Sequence, residues 1–235
     1  MIILKIPFDE GNLKIKGGKL APGIISNFFE NEQKIEEVLP EKLNIEETHK
    51  RIYEKSKELF KKDFIFSIGG DHSISYPLIT AFLENFPSAV ILYIDAHADA
   101  DVIIEPPTYE DLIKVLFEKR ILDNSNFCYI GLSKVFENEK KFIEKNKIRC
   151  FSPLDIKGIK EFISSREIYI SLDIDVFAKA KATGHPDGKA ETSEIINLLK
   201  ELKEKTASMD LVEFNPEIED KHTSKIAKEI VEIYD

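Results

Sequence analysis

The feature that most constrains the fold is the alternation, along the whole chain, of short apolar runs with amphipathic segments. FIFSI at 64–68 and AVILYI at 89–94 are uninterrupted apolar runs of strand length. Such runs are typical of strands buried on both faces, as in parallel sheets covered by helices. We therefore predict a three-layer α/β/α sandwich with a central, mostly parallel sheet. The length of 235 residues fits a single domain that spans 1–235.

The same patterns predict the individual elements. Strands are expected at 1–8, 64–70, 89–96, 126–132, 148–152, 167–175 and 207–215. Helices are expected at 21–30, 46–62, 74–86, 108–119, after 136, at 156–164, at 193–204 and at 224–234.

Composition and charge narrow the partners. A formal net charge of −10 argues against nucleic acid or an anionic membrane as the main partner, and it is compatible with a cationic substrate. No apolar run approaches the roughly 20 residues that span a membrane. The first residues lack the pattern of a secretory signal, so we predict a cytoplasmic protein. Cys128 and Cys150 are predicted to be reduced thiols in the core.

Acids and imidazoles follow four of the predicted strands, at the point where each strand ends. They lie at 69–72 (GGDH), 95–99 (DAHAD), 173–175 (DID) and 213–216 (EFNP). Ligands of open parallel sheets bind beyond the carboxyl ends of the strands. We therefore expect the four segments to converge on one rim of the sheet.

The spacing of these residues predicts a metal site. In an extended chain, residues two apart point to the same side, which would cluster the carboxylates at 95–99 and again at 173–175. A bound divalent cation would offset the cost of burying such like charges. The set is too large for one tetrahedral zinc and suits two ions about 3.5–4 Å apart. Mixed oxygen and imidazole donors favour two Mn²⁺, with Fe, Co or Zn possible. The predicted ligands are His72, Asp95, His97, Asp99, Asp173 and Asp175.

Each motif taken alone has another explanation. The DAHAD segment could be a solvated loop, and the DID segment could cap the next element. In GGDHS the glycines could serve only a tight turn, while Asp71 and Ser73 could serve only as helix caps. The occurrence of all three at strand ends favours the metal site.

The chain resembles the arginase/agmatinase/formimidoylglutamase (ureohydrolase) superfamily. Its metal signatures GGDHS, DAHxD and SxDxD are matched by GGDHS at 69–73, DAHAD at 95–99 and SLDID at 171–175. ATGHP at 182–186 is similar to the family's ATGTP segment, and VEFNP at 212–216 to its VEVNP segment. The resemblance spans nearly the whole chain, with the motifs in the family's order.

The resemblance implies an arginase-like fold and an agmatinase-like activity. A binuclear manganese centre would hydrolyse a guanidino or amidine C–N bond through a metal-bridging hydroxide, releasing urea and an amine. His72 and Asp99 would bind one ion and His97 the other, while the choice of bridging acids stays open. Glu213 matches the glutamate that pairs with the substrate's guanidinium. The resemblance also implies a homo-oligomer, a trimer or a hexamer.

The chain departs from the family in its loops. The family's SHG segment, whose histidine lies near the leaving amine, is replaced by IIEPPTYEDL at 103–112. His185 stands where the family motif has Thr, and we predict that it delivers the proton instead, with Tyr109 as the weaker candidate. An ordinary loop histidine is the alternative. Asp101 would disfavour a substrate carboxylate and suit a second cationic group, as in agmatine. We thus predict catalytic roles for Asp99, Glu213 and His185, and substrate binding by Glu213, Asp101 and His185.

Two other functions remain open. One is hydrolysis of a different linear C–N substrate, a formimino compound or an amide, at the same metal site. The other is a non-catalytic relative that has lost its chemistry. Among the remaining histidines, His49 is predicted to lie at the surface of a charged helix. His222 is predicted to begin the last helix without a special role.

Overall fold

A computed structural model describes residues 1–12, 14–218 and 220–235, and these residues form one sheet with helices on both faces. The strands are β1 (Ile2–Ile6), β2 (Lys34–Glu37), β3 (Ile65–Gly69), β4 (Val90–Ile94), β5 (Phe127–Ile130), β6 (Arg149–Phe151), β7 (Ile168–Asp173) and β8 (Thr206–Val212). The helices are α1 (Ala21–Ile25), α2 (Ile45–Leu59), α3 (Ser75–Asn85), α4 (Leu112–Glu118), α5 (Glu137–Asn146), α6 (Ile156–Ile163), α7 (Thr192–Leu202) and α8 (Lys221–Tyr234). Short 3₁₀ turns lie at Gly18–Leu20, Ser26–Phe28, His72–Ile74, Ile174–Val176 and Lys203–Lys205.

The strand order β2-β1-β3-β8-β7-β4-β5-β6 brings the four motif-bearing strands together. All paired strands are parallel, and β3, β8, β7 and β4 are consecutive neighbours in the sheet. Ile94 lies opposite Leu172 in the register, so the residues that follow them leave the sheet side by side. Likewise, Asp173 lies opposite Val212, the residue before Glu213. The predicted convergence on one rim is confirmed.

Two apolar cores make the fold three-layered, because successive strand residues point to opposite faces of the sheet. Ile3 and Leu92 pack into the core that is covered by α1, α6, α7 and α8. Leu4 and Tyr93 pack into the core that is covered by α2, α3, α4 and α5. The predicted α/β/α sandwich is confirmed, with a sheet that is parallel throughout. In the described ranges, no helix is both long enough and apolar enough to span a bilayer.

One strand was missed and two local predictions were wrong. Strand β2 was not predicted, since KIEE is polar and pairs on one side only, at the edge of the sheet. Cys150 is exposed because it lies in the other edge strand, β6, whereas Cys128 is buried as predicted. His49 is only 5% exposed, because it lies on the face of α2 that packs inward with Ile52.

Candidate metal centre and catalytic cavity

The segment after β3 positions His72. The chain enters a 3₁₀ turn in which the Asp71 side chain accepts a hydrogen bond from the Ser73 N–H, so the predicted cap exists. A Cβ atom at Gly70 would lie 2.0 Å from the Phe8 carbonyl oxygen, so this glycine is needed for close packing of the backbone. His72 emerges almost completely buried, beyond the end of the sheet.

The segment after β4 brings Asp95 and Asp99 inward, although not as an extended chain. Asp99 has a φ of +47°, in the left-handed region. The extended conformation predicted for 95–99 therefore does not include Asp99. The Tyr93 hydroxyl donates to Asp99 Oδ2 at 2.6 Å and fixes that carboxylate. Both acids are buried, which excludes a solvated loop.

The end of β7 supplies two more acids. Asp173 is the last residue of the strand, and its Oδ1 accepts the Asp175 N–H at 2.7 Å. Asp173 therefore does cap the next turn, as the alternative explanation held. Its other oxygen, Oδ2, lies 3.3 Å from His72 Nδ1 and remains directed into the acid cluster.

Two groups of candidate ligands share one carboxylate. In the first, His72 Nδ1 lies 3.0 Å from Asp95 Oδ2 and 3.3 Å from Asp99 Oδ2. In the second, His97 Nδ1 lies 2.9 Å from Asp175 Oδ2 and 3.5 Å from Asp95 Oδ1. Within each group, one donor atom from each residue lies within 4.8 Å of the others. Asp95 therefore presents one oxygen to each group, as a bridging carboxylate would.

The electrostatics of the cluster fit divalent ions. Burial raises the pKa of Asp173 well above its ordinary value, and the charges of Asp175 and Asp95 raise it further. Burial lowers the pKa of His72, but the neighbouring acids outweigh it and hold that pKa well above its ordinary value. Protons thus compensate the clustered carboxylates, a task that divalent ions would take over.

One atom makes this fit specific. Asp95 Oδ2 is buried and, although it lies near His72 Nδ1, it meets no donor in hydrogen-bonding geometry among the described residues. A buried carboxylate oxygen without a partner is costly. Carboxylate and imidazole donors in these proportions suit Mn²⁺ and related ions, so the residues present fit a metal pair.

A cavity of about 150 Å³ opens above the candidate ligands. It brings together every residue predicted to act on the substrate, Glu213, Asp101 and His185, and also Tyr109. Its other lining residues are Lys14, His97, Asp99, Glu110, Lys134, Phe136, Glu139, Asp173 and Asp175. A larger groove of about 600 Å³ beside α2 and α3 shares no lining residue with this cavity.

Glu213 lies at the end of β8 and is held from two sides. Its backbone has a φ of +64°, and its N–H donates to the Gly70 carbonyl at 2.8 Å. Its Oε1 accepts a hydrogen bond from the His72 N–H at 2.8 Å. The other carboxylate oxygen, Oε2, takes no part in this hydrogen bond. Burial, and next the charge of Asp71, raise the pKa of Glu213 well above its ordinary value. A cation bound beside it would favour the ionised form.

His185 and Tyr109 form one wall of the cavity. Their rings stack with centroids 6.0 Å apart, and the Tyr109 oxygen lies 3.5 Å from His185 Nε2. The Tyr109 hydroxyl donates to Glu110 Oε1 at 2.8 Å, an oxygen that also meets Lys14 Nζ at 2.8 Å. Burial, and next the charge of His97, lower the pKa of His185 below its ordinary value. Asp101 also lines the cavity, and its Oδ1 accepts a hydrogen bond from the Asn138 amide at 2.5 Å.

Several residues of the cavity and of the candidate metal centre were missed by sequence reasoning. Lys14, Lys134 and Glu139 reach the cavity from segments that carry no motif, so no local signal marks them. Asp187 contacts His97 and follows ATGHP directly, but its charge alone did not indicate a partner. Ser171 belongs to SLDID, and its hydroxyl lies 2.9 Å from His72 Nε2. A hydroxyl residue inside an otherwise apolar strand could have indicated a contact with the candidate ligands.

Comparison with known proteins places these features in a family. Residues 1–234 match the model of the Arginase family. Over 195 residues the chain is 30% identical to an arginase of Plasmodium berghei, which covers 68% of this chain and 55% of that protein. The chain thus spans little more than half the length of that relative. It is 28% identical to an agmatinase of Bacillus subtilis, over 73% of this chain and 60% of the other.

A solved structure gives the same result for the fold. The structure of a Trypanosoma cruzi formiminoglutamase variant with Mn²⁺ superposes with a TM-score of 0.86 at 17% identity, covering 99% of this chain and 91% of the other. The eight-stranded parallel sheet, the two His/Asp groups at its carboxyl edge and the full-length family match agree. The chain belongs to the arginase family.

Proposed function

We propose that this protein is a binuclear manganese-dependent hydrolase of a guanidino or amidine C–N bond, agmatinase-like, that releases urea and an amine. The observation that carries the proposal is the pair of His/Asp groups that share Asp95 beneath a cavity containing Glu213. The chain is similar to proteins named arginase, agmatinase and formiminoglutamase, and these names support hydrolysis of a C–N bond.

The six acids and imidazoles would hold the ions. His72 and Asp99 would serve one ion and His97 and Asp175 the other, Asp95 would present one oxygen to each group, and Asp173 would add a carboxylate oxygen beside His72. When bound, such a pair lowers the pKa of a coordinated water toward neutrality and so supplies a nucleophile. The surrounding burial keeps bulk water away from most of these donors.

Glu213 would bind the planar cation of the substrate. One of its oxygens already accepts the His72 N–H, and this bond orients the carboxylate relative to the metal ligands. The remaining oxygen can accept a charge-assisted hydrogen bond from a guanidinium N–H. Because burial and the charge of Asp71 raise the pKa of Glu213, a cationic substrate bound beside it would stabilise its ionised form.

His185 would move the proton to the leaving amine. It lines the same cavity as Glu213 and is half-buried beside Tyr109. A burial-lowered pKa leaves the imidazole neutral near pH 7, so it can take a proton from the attacking water and return it to the amine. Tyr109 donates to Glu110 and is the weaker candidate.

The charges of the cavity support a cationic substrate over an anionic one. Beyond the metal ligands, the lining acids Asp101, Glu110, Glu139 and Glu213 outnumber the lysines Lys14 and Lys134. Asp101 would suit a second cationic group, as in agmatine. The two lysines favour the alternative, a formimino or amide substrate that carries a carboxylate.

The decisive experiment is a substrate panel with manganese-loaded protein. Urea release from agmatine would support the proposal. Ammonia or formamide release without urea would favour the alternative substrate class. Two bound ions without turnover on any guanidine, formimino compound or amide would indicate a non-catalytic relative and would refute the proposal.

A further inference from the structure

We propose that Asp187 is a positioning residue that orients His97 toward its ion. The Asp187 carboxylate accepts a hydrogen bond from His97 Nε2 and thereby directs Nδ1 into the second ligand group. This inference rests on the metal pair of the proposed function, not on the identity of the substrate.

The two ring nitrogens of His97 face different partners. Nδ1 lies 2.9 Å from Asp175 Oδ2, on the side of the ligand cluster. Nε2 lies 3.3 Å from Asp187 Oδ2, on the opposite side of the ring. A neutral imidazole carries one N–H, so an Nδ1 that binds an ion leaves Nε2 as the donor. A carboxylate at Nε2 therefore selects the tautomer that the ion needs and makes Nδ1 a stronger ligand.

His97 needs this support more than His72 does. The His72 side chain is 1% exposed, stacks on Tyr93 at 4.6 Å and meets the Ser171 hydroxyl at Nε2. The His97 side chain is 17% exposed, and its ring meets His185 only edge-on at 5.8 Å. The second torsion of histidine is broad, so packing this loose does not fix the ring plane. The hydrogen bond to Asp187 supplies the missing constraint.

Asp187 is itself held in place. Lys134 Nζ lies 2.7 Å from its Oδ2, and the Ser133 hydroxyl donates to its carbonyl oxygen at 2.8 Å. The next residue, Gly188, packs on the turn of the second ligand group. A Cβ atom there would lie 2.0 Å from the Asp175 carbonyl oxygen. The loop that carries Asp187 therefore packs closely on the ligand turn at Asp175.

The test compares Mn²⁺ binding by wild type and Asp187→Ala, starting from metal-free protein. Calorimetric titration should show that one of the two ions binds about 10- to 100-fold more weakly in the variant, while the other is unchanged. Electron paramagnetic resonance should show an exchange-coupled Mn²⁺ pair in wild type. Asp187→Ala should give the six-line signal of isolated Mn²⁺ at the same loading.

Two further variants distinguish positioning from a general structural role. Asp187→Asn keeps an acceptor oxygen and should retain more of the affinity than Asp187→Ala. Glu201→Ala removes an acid from a comparable Lys–Glu pair, in which Lys160 Nζ lies 2.6 Å from Glu201, on the surface of α6 and α7. It should bind both ions as wild type does. Metal-free Asp187→Ala should unfold at the same temperature as metal-free Glu201→Ala.

Each outcome decides the inference. Wild-type affinity for both ions and a coupled signal in Asp187→Ala would overturn it while leaving the proposed function intact. A wild type that binds no ion pair would overturn both. If Asp187→Ala does not fold, Lys134→Met decides by its ion binding, because it removes the ammonium group that holds the Asp187 carboxylate. Weaker binding of one ion would uphold the inference, and unchanged binding would overturn it.

Discussion

Replacing His49 by phenylalanine should remove part of the acid sensitivity of the fold. His49 lies on the buried face of α2, and its ring packs against Phe8 and Tyr76. Neither ring nitrogen has a hydrogen-bond partner among the described residues. Burial, and next the positive charge of Lys119, lower the pKa of His49 from 6.5 to about 4.

The sign and size of the effect follow from proton linkage. Below pH 6.5 the unfolded chain takes up a proton at His49 that the folded protein rejects until about pH 4, so acid favours unfolding. The contribution of neutral His49 to the free energy of unfolding is therefore complete above pH 6.5 and is lost as the pH falls toward 4. The loss attributable to this group is about 1.4 kcal/mol at pH 5.5 and about 2.5 kcal/mol at pH 4.5.

Urea unfolding of metal-free protein at pH 7, 5.5 and 4.5 measures the effect. The metal-site acids titrate equally in both proteins, so the difference between wild type and His49→Phe isolates His49. The stability of wild type relative to the variant should fall by these amounts. His222→Phe, which removes an exposed histidine, is the matched control. Parallel stability curves for wild type and His49→Phe would refute the reasoning.

Three substitutions test the site. Glu213→Gln should lower kcat/KM roughly 10- to 150-fold, because it loses a charged hydrogen bond worth about 1.5–3 kcal/mol. Both ions should be retained. Unchanged kinetics would exclude a role for Glu213 in substrate binding. His185→Ala should lower kcat by about 100-fold or more and abolish a pH limb lying below 6.5, and an unaltered pH profile would rule out proton delivery. Asp95→Asn should release both ions, whereas Asp101→Asn, the same change at the cavity wall, should release neither.

The sheet, and the edge at which the polar motifs lie, could be predicted from sequence because buried parallel strands have uninterrupted apolar patterns. The strand order was not accessible, since the pairing of β3 with β8 joins segments far apart in the chain. The polar edge strand β2 was also missed, because its exposed residues carry no apolar pattern. Patterns of burial predict an element only where that element is buried.

The candidate metal ligands were predicted from residue type and place, and the structure brings them together, but one geometric reason was wrong. Asp99 faces the cluster through a left-handed turn, not through extended alternation. The position of His49 could have been inferred, because it stands between Ile45 and Ile52 at the spacing of a buried helical stripe. The contact between Asp187 and His97 depends on how two loops fold together, and no periodicity encodes that.

The ion content of the wild-type protein tests the central claim most directly. Metal-free protein should be reconstituted with excess Mn²⁺, freed of unbound ion by gel filtration and analysed for manganese by mass spectrometry. Two Mn²⁺ per chain in wild type, and loss of both in Asp95→Asn, are the predicted results. A wild-type chain that retains no manganese pair, or an Asp95→Asn chain that retains both ions, would contradict the account.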